Sequence, residues 1–330
     1  MKIAVLGAGA WGTTLADMLA KNGVDTVLWA REPKVVAAIN ESRENATYLP
    51  GVDLSANLRA ESDAEVAFAG ADYYLVVVPS QYIRPTLESF RDILPDNPVI
   101  VCASKGIELG TLEPMSKVVS QALDGKHPRY ASLSGPSFAA EVSRDMPTTV
   151  SLGCDDHELG RELQAAFSTP AFRVYFTPDV RGVELGGAVK NVIAIAAGIS
   201  DGLGFGHDAR AALITRGLAE MSRLGMAMGG QQRTFMGLSG MGDLVLTCTG
   251  DLSRNRQVGL KLGQGQKLDS IISEMHAVAE GVKTTKSLYN LSRKLKVELP
   301  ITEQIYSILY EDKDPTQAVQ DLLSRDLTDE

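Results

Sequence analysis

Lys2-Ile3-Ala4-Val5-Leu6-Gly7-Ala8-Gly9-Ala10-Trp11-Gly12 opens the chain and decides how the first half is read. Residues 2–6 form a short apolar strand that runs straight into a glycine turn. A helical pattern follows through Leu15, Met18 and Leu19 to Gly23, and Thr26-Val27-Leu28-Trp29 is the next strand. A strand, a glycine turn, a helix and a strand within about thirty residues is the context in which this motif binds a dinucleotide. Gly7, Gly9 and Gly12 serve the tight turn, the close approach of a pyrophosphate and the packing of helix on strand. The helix N-terminus offers its unpaired N–H groups and positive dipole to the phosphates.

Working outward, further apolar runs recur at Tyr74–Val78, Val99–Cys102 and Ala131–Leu133, with Thr149–Leu152 and Arg173–Phe176 closing the set. Continuous rather than alternating apolarity suits a parallel sheet covered on both faces. Beyond Pro178 the strand-like runs stop and helical periodicity takes over, at 208–224, 282–295 and 301–312, with Pro300 opening the last of these. The chain is 330 residues long, room for two cores. The expected fold is α/β: a Rossmann-type doubly wound parallel sheet over residues 1–179, then an all-helical domain over 180–330. Gly202-Leu203-Gly204-Phe205-Gly206 resembles a nucleotide loop but follows a helix, so it is read as a link between helices, with Asp208 capping the next one.

The formal net charge of −9 argues against a general nucleic-acid or acidic-membrane binder. An anionic ligand must then be caught by a local basic pocket. Cys102, Cys154 and Cys248 lie far apart in apolar runs, as buried thiols of a reducing compartment do, and the four histidines lack metal-ligand spacing, so no metal is expected. The N-terminal apolar run is short and broken by glycines, unlike an export signal, and no unbroken apolar run reaches the roughly 18 residues of a membrane span. A cytoplasmic location is expected.

The second informative stretch is Gly186-Gly187-Ala188-Val189-Lys190-Asn191-Val192-Ile193-Ala194. Lys190 and Asn191 sit side by side in a helix that is otherwise small or aliphatic. Burying an unpaired ammonium is costly and shifts its proton affinity toward neutrality, which is how a lysine becomes an acid or base. The small residues at helical spacing are read as leaving room for a ligand to approach it. Asp243, among apolar residues in Gly242-Asp243-Leu244-Val245, needs a partner, and Lys190 is the candidate. Ser253-Arg254-Asn255-Arg256 is dense in donors that match phosphate oxygens. Ligands of an open parallel sheet gather beyond the carboxyl ends of its strands. There lie Pro79-Ser80-Gln81, Ser104-Lys105-Gly106 and Ser134-Gly135-Pro136-Ser137, and the residues from Gly135 to Ala139 are read as opening a helix. Arg31, after the second strand, favours the 2′-phosphate of NADP, while Glu32 beside it is suited to the ribose hydroxyls of NAD.

Taken together these segments resemble the bacterial glycerol-3-phosphate dehydrogenases that use NAD or NADP. The likeness also takes in Val77-Val78-Pro79-Ser80, Ser104-Lys105-Gly106 and Val278-Ala279-Glu280-Gly281, and it runs over nearly the whole chain. It implies reversible reduction of dihydroxyacetone phosphate to glycerol 3-phosphate for phospholipid synthesis. It implies Lys190 as general acid/base, with Lys105, Asn191, Asp243 and Thr247 around the reacting carbon. Ser253, Arg254 and Asn255 would hold the substrate phosphate, with Gly135 and Ser137 also at the substrate. The cofactor surface would comprise Gly7, Gly9, Ala10, Trp11, Gly12, Arg31, Tyr48, Lys105, Ala139, Arg254, Val278 and Glu280. Ala10 departs from the family, whose members often carry serine there, and removes a side-chain contact to the cofactor. NADPH is expected to be preferred over NADH, and a homodimer is the expected assembly. Two other readings of the residues stay open at this point: a related two-domain dehydrogenase for a sugar acid or acyl thioester, and a dinucleotide sensor without chemistry.

Overall fold

The computed structural model describes residues 1–275 and 279–326. The chain divides into two compact units, Met1–Lys105 with Glu113–Glu184, and Gly106–Leu112 with Leu185–Glu330. This division lies a few residues beyond the 179/180 boundary read from the sequence, and it transfers the segment Gly106–Leu112 to the helical unit. The physical reason is local. Ile107 is fully buried in the helical core, and the Ser287 hydroxyl donates to its carbonyl at 3.0 Å.

The first unit is built on strands β1 (Lys2–Leu6), β2 (Asp25–Trp29), β3 (Arg59–Glu61), β4 (Tyr73–Val76), β5 (Val99–Cys102), β6 (Arg129–Ser134), β7 (Thr148–Cys154) and β8 (Phe172–Thr177). Its helices are α1 (Ala10–Lys21), α2 (Pro33–Ala37), α3 (Ala64–Phe68), α4 (Ile83–Phe90), α5 (Met115–Ala122), α6 (Ala139–Val142) and α7 (His157–Phe167). The strands form one sheet in the order β3-β2-β1-β4-β5-β6-β7-β8. All pairings are parallel except β6 with β7. The expected doubly wound parallel sheet is present through β6, and β7 and β8 extend it running the opposite way. The sheet explains the unbroken apolar runs. In β1, Ile3 and Val5 join one core with Leu15, Leu75 and Phe172, while Ala4 and Leu6 join a second with Val76, Ile100 and Val118. Strand order reverses between β1 and β4, the switch point outside which an open sheet binds ligands.

Helix α8 (Val180–Gly202) carries the chain into the second unit, whose other helices are α9 (His207–Ala227), α10 (Gln232–Phe235), α11 (Asp243–Thr249), α12 (Arg254–Gly263), α13 (Leu268–Glu274), α14 (Glu280–Leu295), α15 (Pro300–Tyr310) and α16 (Pro315–Leu323). Among the described residues no strand follows β8. Helix α8 is long and apolar enough to cross a bilayer, yet its apolar window is wholly buried in the protein. A helix that is apolar all round belongs in a core, and Leu185, Val189, Val192, Ile193 and Ala197 are all fully buried there. The link after α8 ends at Gly206, which occupies the cap position of α9 without a side-chain bond. Asp208 lies within the first turn rather than at the cap, where it favours the helix dipole without satisfying a terminal N–H.

Candidate functional site

Leu6 ends β1 at the switch point, and Gly7 turns the chain there with φ +112°. A Cβ on Gly7 would stand 3.0 Å from the Val77 carbonyl oxygen, and one on Gly12 would stand 1.9 Å from the Gly7 carbonyl oxygen. Glycine is therefore obligatory at both positions, one for the turn and one for the approach of α1 to the strand. A Cβ on Gly9 would meet no protein atom within 4 Å. Helix α1 starts at Ala10 with no side-chain cap, so its first-turn N–H groups remain for an anion outside the loop. This donor set fits a dinucleotide pyrophosphate.

Of the other expected cofactor residues of the sheet unit, Ala139 is tied to α1 through Thr14, and Tyr48 to the glycine loop through Asn45. The Thr14 hydroxyl donates to the Ala139 carbonyl at 3.3 Å, and Trp11 packs on Phe172 with ring centroids 6.4 Å apart. Asn45, which the sequence reading passed over, is 1% exposed and donates to the Ala8 carbonyl at 2.9 Å and to the Thr13 hydroxyl at 2.8 Å. Its own backbone carbonyl accepts from the Tyr48 N–H at 3.2 Å, so one amide ties the glycine loop to the Tyr48 segment. No motif announces Asn45, because its partners lie more than thirty residues away. Arg31 follows β2 and is 82% exposed at its side chain, with Nη2 3.1 Å from the Glu32 carboxylate. Lys105, after β5, donates to the Gly135 carbonyl at 3.3 Å, and Ser137 donates to the same oxygen at 3.0 Å. Lys105, Gly135 and Ser137 thus meet at the end of β5 and β6. The helix expected to open at Gly135 is the single turn α6, starting only at Ala139 because Gly135 takes φ +155° and Pro136 follows it.

In the helical unit, Lys190 lies mid-way along α8 with its side chain 9% exposed. Its Nζ is 2.7 Å from Asp243 Oδ1 and 2.8 Å from Thr247 Oγ1. Asp243 and Thr247 are one turn apart on α11, and the Thr247 hydroxyl donates back to the Asp243 carbonyl at 2.6 Å. All three are buried. Gly186, one of the small residues before Lys190, has a different use from the one expected. A Cβ on Gly186 would stand 2.3 Å from the Ser239 carbonyl oxygen, so Gly186 admits a neighbouring backbone rather than a ligand. That backbone, Leu238–Gly242, leads directly into Asp243. The glycine thereby delivers the carboxylate to the ammonium.

The 253–256 stretch resolves into distinct tasks. Ser253 caps α12, its hydroxyl accepting from the Arg256 N–H at 3.2 Å. Asn255 is buried and accepts from the Gly281 N–H at 3.0 Å. Arg254, the first residue of α12, is exposed. Arg256 is not part of a ligand-facing donor set. Its Nε and Nη2 lie 2.9 and 2.8 Å from Asp201 Oδ2, and its Nη1 2.9 Å from Asp251. Glu280 is the first residue of α14, and a Cβ on the following Gly281 would lie 2.7 Å from Asn255 and 2.8 Å from the Asn191 carbonyl oxygen, so α8, α12 and α14 converge at this point. Val278, expected at the cofactor, lies outside the described residues.

A switch-point glycine loop in a largely parallel sheet, followed by a helical unit holding a buried lysine, defines a nicotinamide-dependent dehydrogenase of two units. Comparison with known proteins narrows the class. Residues 2–160 match the family described as the NAD-dependent glycerol-3-phosphate dehydrogenase N-terminus, and residues 179–320 match its C-terminus. The glycerol-3-phosphate dehydrogenase of Maridesulfovibrio salexigens, of the NAD(P)+ type, is 63% identical over 327 residues, covering 99% of each chain. That of Solidesulfovibrio magneticus is 61% identical over 330 residues, covering 100% of each. The crystal structure of the Coxiella burnetii glycerol-3-phosphate dehydrogenase superposes with TM-score 0.94 at 42% identity, covering 98% of this chain and 99% of that one. The chain belongs to the NAD-dependent glycerol-3-phosphate dehydrogenase family. It is an oxidoreductase that uses NAD or NADP, and its family's reaction is the reduction of dihydroxyacetone phosphate.

Proposed function

We propose that this chain reduces dihydroxyacetone phosphate to sn-glycerol 3-phosphate with Lys190 as the proton donor, and that the buried Lys190–Asp243–Thr247 group carries the chemistry. The single observation behind this reading is the placement of an ammonium 2.7 Å from a carboxylate and 2.8 Å from a hydroxyl in an otherwise apolar helical core. When bound, the reduced nicotinamide supplies the hydride. Lys190 gives its proton to the alkoxide that develops on the central carbon, and in the oxidising direction the neutral amine takes the hydroxyl proton back. Such proton transfer is worth roughly 10²–10⁴ in rate. Asp243 and Thr247 fix the direction of the ammonium. Asn191 and Lys105 supply further donors to the polarised oxygen and the substrate.

Substrate phosphate is assigned to Ser253, Arg254 and Asn255 at the head of α12, where first-turn N–H groups and the helix dipole favour an anion. Gly135 and Ser137 are assigned to the substrate as well. The pyrophosphate is assigned to the loop from Gly7 to Gly12 and the head of α1, with Trp11, Tyr48, Ala139 and Glu280 completing the cofactor surface. Ala10 contributes only its backbone there. Arg31 is assigned to the 2′-phosphate of NADP, which makes NADPH the preferred cofactor, and the adjacent Glu32 leaves measurable use of NADH.

The product is the backbone of glycerophospholipids, so the proposed role is biosynthetic and cytoplasmic. A homodimer is proposed from the large apolar side chains that the helical unit exposes, among them Met226, Met236, Met241, Val245 and Ile272. Sedimentation of the purified chain tests it. The catalytic reading is tested by following NADPH and NADH oxidation with dihydroxyacetone phosphate beside unphosphorylated dihydroxyacetone. Equal rates on the two substrates refute the phosphate site.

A further inference from the structure

Helices α8 and α12 touch backbone to backbone along a seam of four glycines. A Cβ on Gly198 would lie 2.0 Å from the Arg256 carbonyl oxygen, and one on Gly202 would lie 2.3 Å from that of Leu260. From the other side, a Cβ on Gly259 would lie 2.0 Å from the Ile195 carbonyl oxygen, and one on Gly263 would lie 2.4 Å from that of Ile199. Contacts climb together along both helices, so the two run in the same direction. Ordinary side chains hold helix axes about 8–10 Å apart, and axes closer than that cannot slide past one another without driving a side chain into the facing backbone. The seam thus sets one register between the helix that carries Lys190 and the helix that Ser253 caps.

A buried charge group locks that register. Asp201, in the last turn of α8, has its side chain 6% exposed and engages two arginines. Its Oδ2 takes the Arg256 fork at 2.8 and 2.9 Å, and its Oδ1 accepts from Arg210 Nε at 2.8 Å. Arg256 stands two residues after Arg254 on the same helix, with its guanidinium directed back to α8. Two charge-assisted contacts from one planar guanidinium to a single oxygen, with the other oxygen held by Arg210, fix position as well as charge.

We infer that Asp201, Arg256 and Gly259 are positioning residues that set the separation between Lys190 and the phosphate donors at the head of α12. The pair of helices acts as a gauge. A ketone is protonated by Lys190 only when its phosphate, seated on Ser253–Asn255, lies at the distance the seam allows. This rests on the reading that Lys190 is the proton donor and that Arg254 and its neighbours hold phosphate. The effect is to select phosphorylated ketones by the spacing between phosphorus and carbonyl carbon. A misplacement of about 1 Å between anchored substrate and catalytic group costs on the order of a hundredfold in rate.

The test uses the full-length enzyme as Arg256→Lys, Asp201→Asn and Gly259→Ala, with Arg254→Ala alongside. Turnover number and KM are measured for dihydroxyacetone phosphate and for dihydroxyacetone, together with thermal melting. For the first three variants the turnover number on dihydroxyacetone phosphate is expected to fall ten- to a hundredfold, with KM within about threefold. Their kcat/KM on dihydroxyacetone, which has no phosphate to anchor it, is expected to stay within about twofold. Arg254→Ala, in contrast, is expected to act mainly on KM. Equal losses on both substrates, or none on either, overturn the inference, because a merely structural role moves the two substrates together. Arg256→Lys keeps the charge and carries the test if Gly259→Ala does not fold. If Arg254→Ala leaves discrimination intact, the phosphate assignment itself is wrong. If it abolishes discrimination while Arg256→Lys and Asp201→Asn preserve it, that assignment holds and the gauge is refuted.

Discussion

Replacing Lys190 with methionine removes an ammonium of similar reach from a site that is nearly dry. Two separate effects follow from the geometry, and they are measured separately. Asp243 is 1% exposed, so the variant leaves a buried carboxylate without the ammonium 2.7 Å away. Breaking a buried pair from one side costs about 3–5 kcal/mol of stability. The Thr247 hydroxyl, which points mainly at the Asp243 backbone carbonyl, is poorly placed to replace it. Loss of the proton donor is expected to lower the turnover number by at least about a hundredfold, the lower end of general acid catalysis. The double variant Lys190→Met/Asp243→Asn also neutralises the buried carboxylate and is expected to regain a good part of the lost stability while regaining no activity. Stability is read by urea denaturation, and activity by NADPH oxidation with saturating dihydroxyacetone phosphate. Cofactor binding, followed by fluorescence, is expected to survive in both. Near-normal turnover in the folded single variant would remove Lys190 from the mechanism. Recovery of turnover in the double variant would show that its role was structural.

Arg254→Ala is expected to weaken the phosphorylated substrate by roughly 1.5–3 kcal/mol, about ten- to a hundredfold in KM, since it deletes a charge-assisted contact. An unchanged preference for dihydroxyacetone phosphate over dihydroxyacetone counts against it. Arg31→Ser is expected to raise the KM for NADPH more than that for NADH, and an equal rise for both means that Arg31 only stacks on adenine. Glu220, 2% exposed, has its carboxyl pushed up to about 7 by burial, against the N–H groups of Ile301 and Thr302 and the Thr302 hydroxyl, which favour the charged form. A raised acid is protonated in the fold while the unfolded chain, near 4.5, is already ionised. Its contribution is therefore fully present below about pH 4.5, declines as pH rises to about 7, and is level above that, about 3 kcal/mol in all. Denaturation series at several pH values are expected to show this slope in the wild type and its loss in Glu220→Gln; an identical slope in both excludes the assignment.

What the sequence by itself determined is whatever is written within a few turns of chain. Residues 2–29 announced the strand, the glycine turn, the helix and the next strand, because each glycine answers a local backbone demand and each apolar run reports its own burial. The shift from strands to helices after Pro178 was legible for the same reason. Lys190 stood out because an ammonium amid small aliphatic residues conflicts with its own surroundings. Lys190 and Asp243, 53 residues apart, could be paired from the sequence because each is a charge set among apolar residues. Tertiary structure alone decided the other partners, and the space at Gly186 that seemed to admit a ligand admits the Ser239 backbone instead. Arg256 reads like its neighbour Arg254 until Asp201, 55 residues earlier, is seen to hold it. Asn45 belongs to no motif, yet it ties the glycine loop to the Tyr48 segment. The reversal at β7 left no mark in composition, since a strand buried on both faces is apolar whichever way it runs. Local pattern encodes which residues leave water. Only the approach of backbones distant in sequence decides which of the buried polar groups meet.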